Sequence, residues 1–345
     1  MSEPDKARAL ILLNLGGPEN LEEVRPFLRR LFSDRAMLSL LPGGVGQAVF
    51  ARFLAWLRTP QALSRYHAIG GGSPLRAWTQ RQARAICERS SCSLRPFVAL
   101  RHSAPFAAET LAVIRDAHID EAVVLPMYPQ YSTATTGSAL KDFAEAAVRV
   151  HPRLWYTVIE PWYLSAGYLD ALAATVREGL SAFPEERRRQ VPILFSAHAL
   201  PQRMVEQGDP YLNQTIGTVH GVVERLGECL WHLGFQSRGG PVRWVGPSIR
   251  EIMERLSRQK HRALLMVPVS FVCDHLETLW DIDVGYRRLA KDLGIVHFVR
   301  SPALNVRPDF INALVHLVKG QVRRLEDGRT ELHFAALGGI HAEGN

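Results

Sequence analysis

An α/β fold is predicted for this chain of 345 residues: two Rossmann-like domains, each with a four-stranded parallel β-sheet flanked by helices. Three observations lead there. Eight short apolar runs recur along the sequence, and they are continuous rather than alternating, so both faces of each strand are covered. Amphipathic stretches of helical length separate them, as crossovers between parallel strands require. The length exceeds what one core usually organises, so two domains are expected.

The first four strands are expected at 9–15, 97–101, 122–125 and 155–159, and the second four at 192–197, 229–234, 263–267 and 295–299. Crossover helices fit 107–117, 137–150, 166–180, 213–226 and 249–259. This divides the chain into an N-terminal α/β domain over 8–165 and a C-terminal one over 166–301. After Pro302 and Pro308, 310–318 reads as helix, and a terminal helix within 302–322 is expected to pack back on the first domain. The polar stretch 323–345 is expected to be a frayed tail. No residue-by-residue repeat relates the halves.

One segment breaks the rhythm. Between 31 and 63 the chain gathers Met37, Leu38, Leu40, Leu41, Val45, Val49, Phe50, Phe53, Leu54, Trp56 and Leu57 around Pro42-Gly43-Gly44. Two readings stay open: helices packed on the sheet, or a partly exposed apolar lip able to rest on a membrane or hold a flat ligand. On the second, Arg35, Arg52 and Arg58 face phosphates or ligand carboxylates.

Composition narrows the function classes. With 47% apolar and 22% charged residues the chain is an ordered globular one. Its 41 basic and 34 acidic residues leave a formal charge of +7, which suits an anionic ligand or lipid surface as well as an ordinary solvated one. The basic residues are dispersed and no nucleic-acid motif occurs, so no nucleic acid is expected as a partner. Cys87, Cys92, Cys229 and Cys273 are too scattered for a disulfide framework or a thiolate metal centre. The start lacks the layout of a secretory signal and no run approaches the length of a membrane span. A cytoplasmic protein is expected, peripheral at the cytoplasmic membrane if attached at all.

Several constellations carry chemistry. Asn14-Leu15-Gly16-Gly17-Pro18 lacks the three-glycine dinucleotide pattern, so its glycines serve a tight turn or close approach to a bulky ligand. Gly70-Gly71-Gly72-Ser73-Pro74-Leu75 opens a helix; its amides and Ser73 either accept an anionic group or serve only the helix entry. Arg101 and Tyr128-Pro129-Gln130-Tyr131-Ser132 follow strands and are expected at the ligand edge. There Arg101 would pair with a substrate carboxylate, and Tyr128 and Tyr131 would stack on or bond to an aromatic ring.

The most informative residue is His198, closing the run Pro192-Ile193-Leu194-Phe195-Ser196-Ala197. Its counterpart is Asp274-His275-Leu276-Glu277-Thr278-Leu279-Trp280-Asp281, also after a strand. Glu277 and Asp281 are four apart and share one helix face; Asp274 lies nearly on the same side. A dipole-favoured acidic first turn explains Asp274 and Glu277 singly, but not a cluster running to Asp281 and Asp283. A neutral imidazole near several carboxylates accepts protons, admits a divalent cation, or does both. No Gly-x-Ser-x-Gly elbow or His-Glu-x-x-His pattern competes with that reading.

At these residues the chain strongly resembles the ferrochelatase family. The similar segments are Leu13-Asn14-Leu15-Gly16-Gly17-Pro18, 70–75, Tyr128-Pro129-Gln130-Tyr131-Ser132, Thr135-Thr136-Gly137-Ser138, Phe195-Ser196-Ala197-His198-Ala199-Leu200-Pro201, Gly208-Asp209-Pro210-Tyr211, Phe235-Gln236-Ser237, Trp244-Val245-Gly246-Pro247 and 270–283, in family order. The resemblance implies a chelatase-like fold and insertion of iron(II) into protoporphyrin IX with release of two protons, the last step of haem biosynthesis. It implies His198 and Glu277 as the metal- and proton-handling pair, with Asp274 and Asp281 supporting them catalytically. Leu15, Ser73, Arg101, Tyr128, Tyr131 and Trp244 would contact the porphyrin. Leu15 stands where the coproporphyrin branch usually has tyrosine, which favours the protoporphyrin branch. His102 stands where the family commonly has tyrosine, and Phe235 where some members have tryptophan. Some relatives hold a [2Fe–2S] cluster through cysteines near the C-terminus; none stands there in this chain, so no cluster is expected, iron(II) is substrate, and no cofactor is required.

The expected mechanism holds a puckered tetrapyrrole between an unprotonated His198 and an acidic channel, on opposite edges of one cleft. Expected partners are protoporphyrin IX, iron(II), the haem product and an inner-membrane surface, with the chain a monomer or weak homodimer. The alternatives are metallation of coproporphyrin III or another tetrapyrrole, and a porphyrin or haem carrier without turnover.

Overall fold

The computed structural model describes residues 7–37, 44–236, 242–326 and a two-residue strand at 333–334. Two parallel sheets form its frame. In the first, β1 (Arg8–Asn14), β2 (Leu94–Leu100), β3 (Glu121–Pro126) and β4 (Trp155–Val158) lie in the order β2-β1-β3-β4. In the second, β5 (Ile193–His198), β6 (Trp231–Gln236), β7 (Ala263–Pro268) and β8 (His297–Arg300) lie in the order β6-β5-β7-β8. The halves thus repeat one strand order without repeating a sequence. Each sheet reverses direction of growth between its first and third strands, β1/β3 and β5/β7, and crevices for ligands open at the carboxyl ends of such pairs.

The strands begin and end where burial changes. The inner strands β1, β3, β5 and β7 are buried almost throughout, which is why continuous apolar runs located them. The edge strands shifted more. β2 starts at Leu94, ahead of the expected 97, because its first residues include exposed Arg95 and Pro96, which an edge tolerates and an apolar-run criterion skips. β6 starts at Trp231 rather than 229, and β8 at His297 rather than 295. The tail adds one element that the sequence reading missed: β9 (His333–Phe334) pairs antiparallel with Trp155 and Tyr156 of β4, so the first sheet has a fifth, short edge strand. The rest of the expected tail beyond residue 326 lies outside the described residues.

Helices cover the sheets. They are α1 (Val24–Ser33), α2 (Gly44–Ala68), α3 (Leu75–Arg89), α4 (Ala107–Asp116), α5 (Ser138–Val150), α6 (Ala166–Ser181), α7 (Gln202–Glu206), α8 (Tyr211–Leu226), α9 (Ile249–Arg258), α10 (Arg287–Asp292) and α11 (Pro308–Glu326). The α9 start shows the local logic: Ser248 Oγ accepts from the Glu251 amide at 3.2 Å and Glu251 accepts from the Ser248 amide at 2.6 Å, a reciprocal cap. The largest apolar cluster runs through both sheets, joining Leu10, Leu125, Phe195 and Leu265 through Leu172 of α6 and Phe310 and Leu314 of α11. α11 packs on α6, α3 and β3, so the last helix returns to the first sheet and ties the halves together.

The apolar segment over 31–63 is mostly one long helix. α2 turns Ala51, Ala55 and Tyr66 inward, where Ala55 and Tyr66 join Val24, Phe27 and Leu28 of α1. A second stripe, Val49, Phe53, Trp56 and Leu57, stays exposed at 63%, 56%, 58% and 54%. One face of the helix therefore packs inward and another is exposed. Leu38, Leu40, Leu41 and Pro42-Gly43 lie outside the described residues.

Behind α1, a buried polar knot fixes the base of this segment. The Asp34 carboxylate accepts from Ser138 Oγ at 2.5 Å, lies 3.2 Å from the Arg101 guanidinium and 3.7 Å from His102 Nε2. Burial, then the Arg101 charge, lowers the His102 imidazole to about 4, with Asp34 opposing. An unfolded histidine protonates near 6.5, so between about 4 and 6.5 the unfolded chain binds more protons, and stability climbs with pH through that window. We expect the melting temperature of His102→Asn to fall less than the parent's between pH 6.5 and about 4. Thermal melts followed by circular dichroism measure this, and equal falls would place the proton uptake elsewhere.

Candidate active site

His198 is the last residue of β5, and the chain leaving β7 passes beside it, because β5 and β7 are neighbours. His198 Nδ1 meets Glu277 Oε2 at 3.2 Å. The same carboxylate oxygen accepts from Gln236 Nε2 at 2.8 Å, and Gln236 Oε1 accepts from Ser196 Oγ at 2.9 Å. Gln236 ends β6 and is Cα partner to His198. Three adjacent strand ends thus build one chain, Ser196–Gln236–Glu277–His198. The sequence reading placed the imidazole and the acidic group on opposite edges of a cleft; parallel neighbours in one sheet instead put them in contact.

Glu277 opens a π-helical stretch, Glu277–Tyr286, that also carries Trp280, Asp281 and Asp283. The wide turn of a π-helix is often found at functional sites, where it re-aims side chains. Electrostatics separates its two inward acids. Burial raises Glu277, but His198, by charge and hydrogen bond, then His275 and Gln236 hold it down to about 2. Asp281 is pushed up to about 7 by burial and by Glu277, with Arg65 and His198 opposing. His198 rises above its ordinary 6.5: burial lowers it, and Glu277 and Asp281 outweigh that. The resting pair therefore leans towards imidazolium and carboxylate.

Asp274 does not face this group. Its carboxylate accepts from Thr278 Oγ1 at 3.0 Å, Asn305 Nδ2 at 2.9 Å and Arg300 at 3.1 Å. Arg300 also holds Asp283 through two contacts of 2.9 Å. Held by three donors on its carboxylate, Asp274 anchors the start of the π-helical stretch, while Asp283 anchors its middle.

A cleft of about 1630 Å³ lies between α1, α2 and this acidic wall. Glu277, Asp281, His275, Gln236 and Phe235 line it, as do Leu15, Ser73 and Trp244 among the expected porphyrin contacts. Phe50 and Leu54 of α2 form part of an apolar wall, and Arg35, Arg58, Arg203 and Arg250 bring positive charge to it. The volume exceeds that of ordinary drug-sized pockets and suits a macrocycle. A smaller hollow of about 260 Å³, beside Phe97 and Val113, shares no residue with it.

His198, Arg101, Tyr128 and Tyr131 are not among the lining residues; His198 is joined to the cleft through Glu277, which does line it. Arg101 is engaged by Asp34, Asp142 and Ser138. The Tyr128 hydroxyl is buried and finds no hydrogen-bond partner among the described residues. The Tyr131 backbone donates to Gln214, Gln130 donates to Thr218, and Ser132 and Thr133 converge on Asp209. Those bonds run from the end of β3 to α8 and the turn before it, so the tyrosine motif ties the two halves together. The glycine loops are also structural. A Cβ on Gly17 would meet Ser73 at 2.6 Å and one on Gly72 would meet the Glu19 carbonyl at 2.1 Å, so the two loops close on one another.

Gln236 and Arg65 were missed as site residues. Gln236 stood inside a quoted motif, but nothing in sequence shows which acid it will meet. Arg65, on α2, reaches Asp281 at 3.4 Å across 216 positions, which no local pattern encodes.

Comparisons with known proteins agree with the geometry. The family model described as Ferrochelatase matches residues 7–322. The ferrochelatase of Geotalea uraniireducens (strain Rf4) is 43% identical over 315 residues, covering 91% of this chain and 98% of its own. That of Aquifex aeolicus (strain VF5) is 38% identical over 316 residues, covering 91% and 99%. The solved structure of SirB from Bacillus subtilis with Fe3+ superimposes with a TM-score of 0.55 at 11% identity, over 93% of this chain and 98% of that one. CbiX, described as the terminal enzyme for biosynthesis of siroheme in denitrifying bacteria, gives 0.51 at 12% identity over 91% and 98%. At such identities these two show the fold alone. The chain belongs to the ferrochelatase family, enzymes that insert iron(II) into a porphyrin as the terminal step of haem biosynthesis.

Proposed function

We propose that the porphyrin is protoporphyrin IX, seated between the apolar wall of α2 and the acidic wall, with His198 and Glu277 handling protons and metal. The observation that carries this is the 3.2 Å contact between His198 and Glu277 at the end of the chain from Ser196. Insertion breaks two N–H bonds and forms iron–nitrogen bonds in their place, with no change of oxidation state; two protons must leave. Glu277, ionised at any ordinary pH, is the carboxylate that an incoming iron(II) meets first. A cation there offsets the charge that holds a proton on His198, so metal arrival frees the imidazole beside the pyrrole N–H groups. Asp281, with its affinity near neutrality, is suited to take the other proton. Asp274 acts through position, by fixing the stretch that carries both acids. Leu15, Phe50 and Leu54 in the cleft wall favour the vinyl-bearing ring over a more carboxylated one.

Anaerobic metallation of protoporphyrin and coproporphyrin, each offered iron(II), tests this. Protoporphyrin should be the better substrate by kcat/KM, and a preference for coproporphyrin would overturn the assignment. In the same assay His198→Ala should lower kcat by about a hundredfold or more while porphyrin binding stays within about tenfold. Near-parental turnover would remove His198 from the chemistry. Glu277→Gln removes the charge that raises His198, so the rising limb of kcat/KM against pH should move to lower pH with a reduced plateau. An unmoved limb would separate the two residues.

We also infer that the exposed α2 stripe rests on a lipid surface, which would deliver an apolar substrate to the cleft beside it. Among the described residues no helix is long and apolar enough to cross a membrane, so contact of this kind is peripheral. Phe53 and Trp56, whose rings lie 6.1 Å apart, head the stripe. The double change Phe53→Ser, Trp56→Ser should weaken sedimentation with phosphatidylglycerol–phosphatidylethanolamine vesicles by more than about tenfold, with metallation of detergent-dispersed porphyrin retained. Undiminished vesicle binding would reject the contact.

A further inference from the structure

We propose that Arg65 is a positioning residue that keeps the acidic wall from trapping the metal it must pass on: by pairing with Asp281 it leaves Glu277 as the carboxylate open to an incoming cation. This rests on the reading of His198 and Glu277 as the metal-handling pair. Arg65 lies on α2, across the cleft from the π-helical stretch, and lines the cleft together with Asp281 and Trp280. Its guanidinium stands 3.4 Å from Asp281 Oδ1 and lies over the Trp280 ring, 4.3 Å from the centroid. One residue therefore joins the lip helix to the acidic segment by charge and by stacking.

Physical chemistry gives the reason for such a residue. Among the described residues no three histidine, cysteine or acidic side chains already form a metal-holding group, yet a carboxylate left unpaired beside His198 and Glu277 adds to the strength with which the wall holds a divalent cation. For a metal-inserting enzyme that strength is a hazard, since every gain in holding iron(II) on the protein is a loss in driving it to the pyrrole nitrogens. A guanidinium 3.4 Å from Asp281 Oδ1 repels the cation and occupies an oxygen that would otherwise be offered to it.

The contact is also built to give way. Arg300 grips Asp283 through two contacts of 2.9 Å and Asp274 through one of 3.1 Å, all short. Arg65 has a single long contact, and its buried Nε finds no hydrogen-bond partner among the described residues. The first arginine clamps the backbone of the segment, whereas the second is a counter-ion that can exchange.

Cobalt(II) alone, titrated into the full chain by calorimetry and followed by its visible absorption, is the probe. Arg65→Met should bind one cobalt(II) at least about tenfold more tightly than the parent, and in metallation assays its KM for the metal and its kcat should fall together. Loss of a merely structural contact would lower kcat without tightening the metal. Arg65→Lys, which keeps the charge, should return towards parental affinity. Adding Asp281→Asn to Arg65→Met should restore affinity to within about threefold of the parent. Unchanged affinity in Arg65→Met, or a double variant as tight as the single, would overturn the proposal. Should Arg65→Met melt early, Asp281→Asn alone decides: affinity within about threefold of the parent supports a carboxylate already neutralised, and a loss beyond about tenfold overturns it. His198→Ala separates the underlying reading, since cobalt(II) affinity unaltered by that change would reject the metal-handling pair whatever Arg65 does.

Discussion

A carboxylate held ionised in a partly dehydrated wall is the constraint around which this site is arranged. Taking such a charge out of water costs several kcal/mol unless it is paired and its remaining acceptor directions are satisfied. Glu277 has His198 on one side and Gln236 on the other, both on Oε2. The carboxylate can only accept, so it turns the Gln236 amide group towards itself, and the Ser196 hydroxyl donates to the Oε1 that this leaves on the other side. A chain of hydrogen bonds thus runs from a serine in the interior of β5, through the end of β6, to Glu277 in a segment that begins after β7.

The two sheets share a strand order but divide their labour. At the carboxyl ends of the first sheet, the chain supplies Leu15, closely packed glycine loops and the knot of Asp34, Arg101 and Ser138. At the same ends of the second it supplies His198, Gln236 and the acidic π-helical stretch. The difference lies in the segment that leaves the third strand of each sheet. After β3, the segment carrying the tyrosine motif bonds to Gln214 of α8 and to Asp209 just before it; after β7, Asp274 and Asp283 are held by Arg300, which leaves Glu277 and Asp281 to face the cleft. Similar topology therefore places the imidazole and the cleft-facing carboxylates in one half and mainly packing groups in the other.

How much of this was readable in the sequence depends on the same division. The four inner strands were visible because burial on both faces writes continuous apolar runs; edge strands β2, β6 and β8 drifted by two or three residues because one side of each is free of that demand. β9 was invisible, since two residues in a polar tail carry no period. His198 and Glu277 were visible as a pattern, an imidazole and an acid each following a strand, and the fold brought them together because those strands are neighbours. What could not be read was which polar groups would be used up. Asp274 and Arg101 have the right chemistry and lie after the right strands, yet Asn305 and Asp142, each distant in sequence, engage their side chains. Residue type announces what a group can do; only the distant partner decides whether it is free to do it.

That allocation bears on how a flat ring is made to accept a metal. Bending a macrocycle requires walls that do not move apart, because distortion is driven by contacts remote from the reacting nitrogens. The bonds from Gln130, Tyr131, Ser132 and Thr133 to the second half, together with the apolar cluster shared by both sheets and α11, tie the two sheets of the frame to one another. Against those walls stands α2, which has an apolar face on the cleft, an exposed apolar stripe outside, and charge contacts to the acidic wall at one end only. On the proposed reading the motifs that look like ring contacts serve catalysis from outside the cleft, by making it stiff, while the part of the site free to yield is the helix through which an apolar substrate would enter. Stiffness in the frame and compliance in the lip are then two requirements of one reaction, and the chain meets them with different residues.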